Sequence, residues 1–164
     1  MQTKLPADSP FTPDIAQARA RFGLLLGSVY RQWRRQVDQH FKDLGLSDAT
    51  RMPLLVLYVQ EEPLRQKDLA KALHLDTSSL VRVLAQLRKE KLVDWESDPA
   101  DRRTKCITLT ATGRETAALI LAKSMEIERT ILAGLSSHEL ETTRQTLGKI
   151  SQRFAPLTSN ESKG

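Results

Sequence analysis

The strongest constraint on the fold is the order of short patterns between residues 66 and 110. Residues 66–73 have helical spacing, with apolar side chains on one side, and a tight turn follows them. A second helical pattern runs from Thr77, which we interpret as its N-cap, to about residue 90. Val93–Ser97 and Lys105–Leu109 are rich in β-forming residues and flank a polar loop that contains a proline. The segment therefore predicts a helix, a tight turn, a second helix and a β-hairpin.

Long helical patterns flank this segment. Between Asp14 and Leu44 apolar residues recur at steps of three or four, which predicts one amphipathic helix about 45 Å long. Gly45 can end that helix, and Ser47 can cap the next one, which runs to about residue 60. Since a small domain does not need a helix of this length, we expect it to pack on something beyond its own domain.

The C-terminal third predicts two more helices. Thr110 can cap a long helix that ends near Leu135, and its apolar residues cover an arc wide enough to need contacts on more than one side. Ser136 and Glu139 then have the spacing of a capping box, which starts a final helix that runs to about Phe154.

Charge does not by itself identify a partner. The 164-residue chain carries a net charge of +5, yet between Glu61 and Lys105 ten Lys and Arg stand against nine Asp and Glu. A face that binds a polyanion must therefore come from placed side chains rather than from bulk basicity. No apolar stretch approaches the roughly 20 residues of a membrane span. A single cysteine and a polar first ten residues complete a composition that favours the cytoplasm.

The helix after the tight turn is suited to duplex DNA, because the major groove admits one α-helix whose first residues reach base edges. The hairpin loop offers a second contact, since arginine favours a narrow minor groove. In that loop we expect Asp101 to pair with an arginine, Arg103, and to aim it. The alternative for Asp101, Arg102 and Arg103 is a merely solvated turn. The candidate DNA-binding residues are Gln66, Thr77, Ser78, Ser79, Arg82, Gln86, Arg102, Arg103 and Lys105.

Several short motifs are specific enough to compare with known families. They are LAKAL at 69–73, SLVR at 79–82, LAQL at 84–87, ILAGLSS at 131–137 and, most specific, Asp101-Arg102-Arg103 followed by ITLT at 107–110. On these motifs the chain resembles the MarR family of bacterial regulators, and its SlyA-like branch, from about residue 24 to residue 154. The family usually has glycine in the turn where His74 stands and again where Lys91 stands, so these two positions depart from its pattern.

The patterns and the resemblance together imply a mainly α fold with a small β-hairpin wing, in which a winged helix-turn-helix is joined to a helical dimerisation region. The expected domains are a flexible arm at 1–13, dimerisation helices at 14–44 and 111–156, a DNA-binding winged helix-turn-helix at 45–110 and a disordered tail at 157–164. The resemblance further implies a homodimer, commonly a repressor, on a pseudo-palindromic operator with half-sites about one helical turn apart. The residues expected at the dimer interface are Phe11, Ile15, Phe22, Leu132, Leu135, Leu147, Ile150 and Phe154.

The resemblance also implies an effector pocket, because small aromatic acids that bind between the dimerisation helices and the winged domain release many family members from DNA. An aromatic carboxylate could stack on Trp33 and pair with a nearby arginine. The alternative is that Trp33 and Met52 are core residues and the arginines lie on the surface. Gln39 and Arg51 stand where SlyA-like proteins carry histidine and tryptophan, so we expect a different specificity. The pocket candidates are Trp33, Arg34, Val37, His40, Arg51, Met52 and Leu55.

No nucleophile–base pair, paired carboxylates or glycine-rich phosphate loop stands out, so we expect neither an enzyme nor a cofactor. The histidines His40, His74 and His138 are dispersed and lack the spacing of a zinc site.

Two alternatives to a plain DNA-binding regulator stay open. Cys106 would be redox-responsive if Lys105 and Arg103 lowered its pKa, although a structural cysteine fits better. A winged helix that binds protein and has lost DNA binding is the other alternative. The outward Arg82 and the intact loop arginines favour DNA binding over it.

Overall fold

The computed structural model describes residues 14–98 and 100–154. The expected arm at 1–13 and tail at 157–164 lie outside these ranges. The chain divides into two compact units, Met1–Ser124 and Met125–Gly164. The helices are α1 (Ile15–Arg19), α2 (Phe22–Phe41), α3 (Asp48–Gln60), α4 (Gln66–Ala72), α5 (Thr77–Lys89), α6 (Ala111–Ile131) and α7 (Ser137–Gln152). The strands are β1 (Leu64–Arg65), β2 (Val93–Ser97) and β3 (Lys105–Leu109). In the described part of the chain, none of these helices has the length and apolarity to cross a membrane.

The single long helix predicted for residues 14–44 is wrong, because the backbone breaks between α1 and α2. Arg21 adopts an extended conformation with ψ of 125°. Apolar steps of three or four continue across the break, so periodicity alone does not detect it. A 3₁₀ turn at Lys42–Leu44 tightens the other end, and Gly45, at φ 65°, ends it as predicted. Ser47 occupies the predicted cap position of α3, but its hydroxyl caps no backbone N–H.

The predicted hairpin is confirmed and gains a third strand. The sheet has the order β1-β3-β2 and is antiparallel throughout, with Leu64 opposite Ile107 and Trp95 opposite the same residue on the other side. With two residues, β1 is too short for an alternating pattern, which is why the sequence did not predict it.

The core of the winged helix-turn-helix is apolar and closely packed. Each of its fully buried side chains contributes about 1.5–3 kcal/mol relative to exposure. They come from α3, α4, α5 and β3 and are Leu54, Leu69, Leu80, Leu84, Leu87 and Ile107. Because this core joins both helices of the helix-turn-helix to the sheet, it holds α5 and the wing on one scaffold.

Asp76, and not Thr77, is the N-cap of α5. The Asp76 side chain accepts a hydrogen bond from the Ser79 backbone N–H, whereas Thr77 is the first helical residue. The two positions that lack the family's glycine keep the left-handed backbone, with His74 at φ 53° and Lys91 at φ 59°. Left-handed backbone costs an ordinary residue about 1–2 kcal/mol, so the packed neighbours must impose it.

The first residues of α6 and of α7 are capped as predicted. Thr110 Oγ1 accepts a hydrogen bond from the Gly113 backbone N–H at 2.9 Å and donates one to the Lys91 carbonyl at 2.6 Å. The capping box of Ser136 and Glu139 is complete. However, α6 ends at Ile131, four residues earlier than predicted.

Candidate nucleic-acid interface

The first turn of α5 carries hydroxyl side chains that are already engaged. Ser78 Oγ and Ser79 Oγ both donate to the Asp76 carboxylate, as does the Ser79 backbone N–H. These three hydrogen bonds hold the pKa of Asp76 well below its usual range. Thr77, Ser78 and Ser79 are all exposed. The helix start therefore presents hydroxyl oxygens and one carboxylate to a ligand, and sequence reasoning missed the carboxylate.

Further along α5, Arg82 and Gln86 are exposed on the side away from the buried leucines. Gln86 Nε2 donates to Glu90 at 3.0 Å. Across residues 14–98 and 100–154, no carboxylate lies within ion-pair distance of Arg82. Arg82 is thus a guanidinium held on a rigid helix with its charge unneutralised.

The expected ion pair between Asp101 and Arg103 is absent from the part of the chain that the structure describes. Asp101 Oδ1 instead accepts the backbone N–H of Arg103 at 3.0 Å, and Oδ2 accepts the Thr104 hydroxyl at 3.1 Å. An aspartate side chain is short enough to accept a hydrogen bond from the backbone N–H two residues later. Asp101 therefore bonds to the backbone of the turn rather than to the guanidinium of Arg103. Asp101 therefore shapes the loop backbone.

The wing tip is cationic and open. Arg102, Arg103 and Lys105 are exposed. No ion pair involves any of them within the described residues. The turn between β2 and β3 is closed by the Thr104 backbone N–H, which donates to the Asp101 carbonyl at 2.8 Å. The wing therefore presents Arg102 and Arg103 without ion-pair partners among the described residues, on a loop that is closed by backbone hydrogen bonds.

The base of the wing holds an ion pair that sequence reasoning missed. Arg65 Nε and Nη2 both lie 2.7 Å from Asp98 Oδ2. Asp98 is buried, and its Oδ1 accepts the Ala100 backbone N–H at 2.8 Å. The Ala100 N–H and the Arg65 guanidinium hold the pKa of Asp98 below its usual range. The partners are 33 residues apart in the sequence, so no local spacing marks them.

Cys106 lies beside this pair and is buried. Burial raises the pKa of its thiol, and the Asp98 carboxylate acts in the same direction. The expectation that Lys105 and Arg103 would lower that pKa is therefore wrong. A buried thiol with a raised pKa is a poor nucleophile.

A groove of about 500 Å³ runs between α5 and β2. Gln66, at the start of α4, lines one end of it, and the guanidinium of Arg88 lies 5.9 Å from the centre of the Trp95 ring. Arg88 Nε is also 3.4 Å from Asp94 Oδ1. The groove adds Arg88 and Lys89 to the basic side chains near α5, although neither was predicted as a contact.

The structure brings few of the effector candidates together. An open cavity of about 660 Å³ between the end of α2 and the start of α3 is lined by four basic side chains and two aspartates. Arg34 is the one effector candidate on it, and its Nε lies 3.7 Å from Asp38 and 3.8 Å from Asp48. Met52 is exposed, while Trp33, Val37 and Leu55 are half-buried. The residues that line the cavity are Arg31, Arg34, Arg35, Asp38, Gln39, Lys42, Gly45, Leu46, Ser47 and Asp48.

Arg51 is engaged inside the protein. Its side chain is 2% exposed, and it donates to the Leu46 carbonyl at 2.8 Å and to Asp38 Oδ1 at 2.6 Å. It also stacks on Phe41, 4.8 Å from the ring centre. His40 Nδ1 is likewise bonded to the Gln36 carbonyl. Arg51 is therefore a buried structural cation, in place of the surface or pocket arginine that the sequence suggested.

The candidate interface residues are largely uncovered within one chain. Ile15, Phe22 and Phe154 have exposed fractions of 69%, 54% and 59%. Leu135 and Leu147 are also exposed, Leu132 and Ile150 are half-buried, and Phe11 lies outside the described residues. Exposed apolar side chains also recur along α2, at Leu24, Leu25, Leu26, Val29 and Tyr30.

Comparison with known proteins places these features in context. The MarR family model matches residues 44–104. The solved structure of the transcriptional regulator PA3341 is 30% identical, with a TM-score of 0.77, and the match covers 82% of this chain and 98% of that one. The complex of S. aureus MepR with DNA is 26% identical, with a TM-score of 0.71 and coverage of 81% and 98%. CouR from Rhodococcus jostii RHA1, bound to p-coumaroyl-CoA, is 27% identical, with a TM-score of 0.73 and coverage of 80% and 92%.

Proposed function

This chain belongs to the MarR family of transcriptional regulators, and from that premise we propose that it binds duplex DNA sequence-specifically, as a homodimer on a pseudo-palindromic operator. The observation that carries the proposal is the set of exposed, unneutralised arginines, Arg82 on α5 and Arg102 and Arg103 on the wing. They stand out because residues 61–105 have almost no net charge. Repression is the sign of regulation that the family favours.

In this proposal α5 and the wing contact different grooves of the DNA. Arg82 reads a base edge in the major groove, and the hydroxyls of Thr77, Ser78 and Ser79 contact bases or phosphates beside it. Arg102 and Arg103 enter the adjacent minor groove, and Asp101 holds the loop that carries them. Gln66, Gln86 and Lys105 complete the interface from its edges. The solved complex of MepR with DNA supports this use of the fold.

In the proposed homodimer, the second copy of the chain supplies a second DNA-binding domain. The exposed apolar residues of α1, α2 and α7 support a dimerisation region made of residues 14–44 and 111–156, with the DNA-binding domain at 45–110. Two wings related by a two-fold axis then fit half-sites about 34–36 Å apart. The arm at 1–13 and the tail at 157–164 are the proposed flexible ends.

An anionic effector is the proposed release signal. The basic lining of the cavity between α2 and α3, with Arg31, Arg34 and Arg35, supports an aromatic acid or its thioester as the ligand class. The capture of p-coumaroyl-CoA by CouR supports the same chemistry. Arg51 is buried and bound to Asp38, so the more accessible Arg34 is the proposed anchor for a carboxylate ligand. There the ligand would compete with Asp38 and Asp48, which lie 3.7 and 3.8 Å from Arg34 Nε.

Two finer placements accompany the proposal. The motifs at 101–110 and 131–137 support the SlyA-like branch, and action on chromosomal DNA implies the cytoplasm. Of the alternatives, a protein-binding winged helix is disfavoured by the free wing arginines, and a redox regulator is disfavoured by the buried Cys106.

Fluorescence anisotropy against the DNA upstream of the chain's own gene tests the proposal, with titrations at two salt concentrations. We expect saturable binding that weakens steeply as salt rises, because phosphate contacts release counterions. Equal affinity for a shuffled duplex of the same composition would contradict sequence-specific binding. Adding salicylate-like acids at millimolar concentration to the complex tests the effector, and DNA that stays bound would argue against an aromatic acid.

A further inference from the structure

The Arg65–Asp98 ion pair joins the wing to the helix-turn-helix. Arg65 is the residue before Gln66, where α4 begins, and Asp98 is the residue after Ser97, where β2 ends. The sheet has the order β1-β3-β2, so the pair links its two edge strands across the central one. The ion pair therefore links the wing to the start of α4, the first helix of the helix-turn-helix.

Asp98 also organises the loop that carries the wing arginines. Its backbone N–H donates to the Thr104 carbonyl at 2.9 Å, and its Oδ1 accepts the Ala100 N–H. The Asp98 side chain is 10% exposed. A carboxylate with so little access to water is stabilising only while its partner is present. Removing Arg65 would therefore loosen both the base and the first turn of the loop.

The backbone alone holds the wing weakly at this edge. β1 contributes two residues, with Leu64 opposite Ile107 and Arg65 opposite Cys106. The wing tip lies only four and five residues beyond Asp98, so a change of angle at the base displaces Arg102 and Arg103 directly. A functional side chain needs support of this kind to stay within about 0.5 Å of its productive place.

We propose that Arg65 and Asp98 are positioning residues for DNA binding. Their ion pair fixes the wing relative to α5 before DNA arrives, so that Arg103 enters the minor groove without a further ordering cost. Neither side chain needs to touch DNA. This inference rests on the proposed function, since it presupposes that the wing binds DNA.

A double-mutant cycle with Arg103 separates positioning from direct contact. Arg65→Gln alone should weaken binding to the operator by about five- to tenfold, a coupling usual for residues in one network. In the Arg103→Ala background the same change should cost clearly less than in the wild type, because one of the two arginines that the ion pair positions is gone. Asp98→Asn, which keeps an oxygen for the Ala100 N–H, should reproduce the pattern, and Arg65→Lys should restore part of the affinity.

Amide hydrogen exchange supplies a readout that needs no DNA. In Arg65→Gln the amides of Arg103 and Thr104, which bond to Asp101, should exchange faster, while those in α5 keep their protection. Arg88→Gln is the matched control, because it removes an ion pair with Asp94 outside the wing loop and should leave both amides unchanged.

Three results overturn the inference. They are an undiminished affinity of Arg65→Gln, an equal loss in both backgrounds of the cycle, and unchanged exchange at Thr104. If the wild-type chain binds its operator, each of these results would leave the proposed function standing. A wild-type chain that shows no specific binding overturns the proposed function and the positioning role together.

Discussion

Asp76 accepts hydrogen bonds from both polar groups of Ser79, the backbone N–H at 2.8 Å and the hydroxyl at 2.7 Å. The same carboxylate therefore caps the recognition helix and fixes the orientation of a hydroxyl at its start. It also places one negative charge at the end of α5 that faces the proposed DNA ligand. Asp76 therefore affects both the stability of α5 and the charge of the proposed DNA-binding surface.

Asp76→Ala should lower the Tm by a few degrees, because it removes the cap of α5. Thr77→Ala should leave the Tm nearly unchanged, since Thr77 is the first helical residue and caps no backbone N–H. Thermal unfolding followed by circular dichroism measures both. If Thr77→Ala were the more damaging change, Thr77 and not Asp76 would be the cap of α5.

The cap should also give stability a defined pH dependence. The pKa of Asp76 in the folded chain lies below its ordinary value of 3.8, so the ionised carboxylate stabilises the fold above about pH 4. That contribution is lost as pH falls through the folded pKa. The Tm difference between the wild type and Asp76→Asn should therefore be constant from pH 7 to about pH 5 and shrink between pH 4 and pH 2. A difference that grows on acidification would contradict this sign.

Arg82→Ala should change which sequences are bound as well as how tightly, with a loss of about five- to a hundredfold on the preferred site. Selection of binding sites from a random duplex library, repeated with the variant, measures the preference. Arg114→Ala is a charge-matched control, because Arg114 is exposed in the first turn of α6, which follows the end of the hairpin opposite the wing tip. A uniform loss on all sequences would make Arg82 a phosphate contact.

Gly113→Ala should destabilise the fold by about 1–3 kcal/mol. A Cβ at this position would lie 1.8 Å from the Leu92 carbonyl oxygen, so the start of α6 would have to move away from the segment that joins α5 to β2. Gly148→Ala is the internal control, since nothing lies within 4 Å of its added Cβ. In α7 that change should stabilise by about 0.5–1 kcal/mol through helix propensity. Equal effects of the two substitutions would contradict the close contact.

The sequence predicted most of the winged helix-turn-helix, because that part of the fold depends on local patterns. Both strands of the hairpin, the Thr110 cap and the capping box at Ser136 match to the residue. The incorrect predictions lie where the local sequence pattern carries no information about the structure. A break at Arg21 leaves apolar spacing intact, and a two-residue strand such as β1 has no period.

Site residues were harder to predict because their roles depend on distant partners. The sequence suggested a surface or pocket role for Arg51, whereas in the structure Arg51 is buried, bound to Asp38 and stacked on Phe41. Arg65 and Asp98 carry no local signature, since the pair forms only when the sheet assembles. The exposure of Arg82 was predictable, because it lies on the polar face of α5 opposite the buried leucines. The exposure of Arg102 and Arg103 was predictable because they lie in the polar loop of the hairpin.

Hydroxyl-radical footprinting of the operator recovered by site selection is the most direct test of two wings reading one site. Cleavage on this assay follows exposure of the minor groove. We expect two protected minor-groove patches related by the operator's pseudo-two-fold axis, and we expect both to disappear in Arg103→Ala at protein concentrations at which the variant still binds the duplex. A single unsymmetric patch, or patches unchanged in Arg103→Ala, would contradict a dimer that reads DNA with its wing arginines.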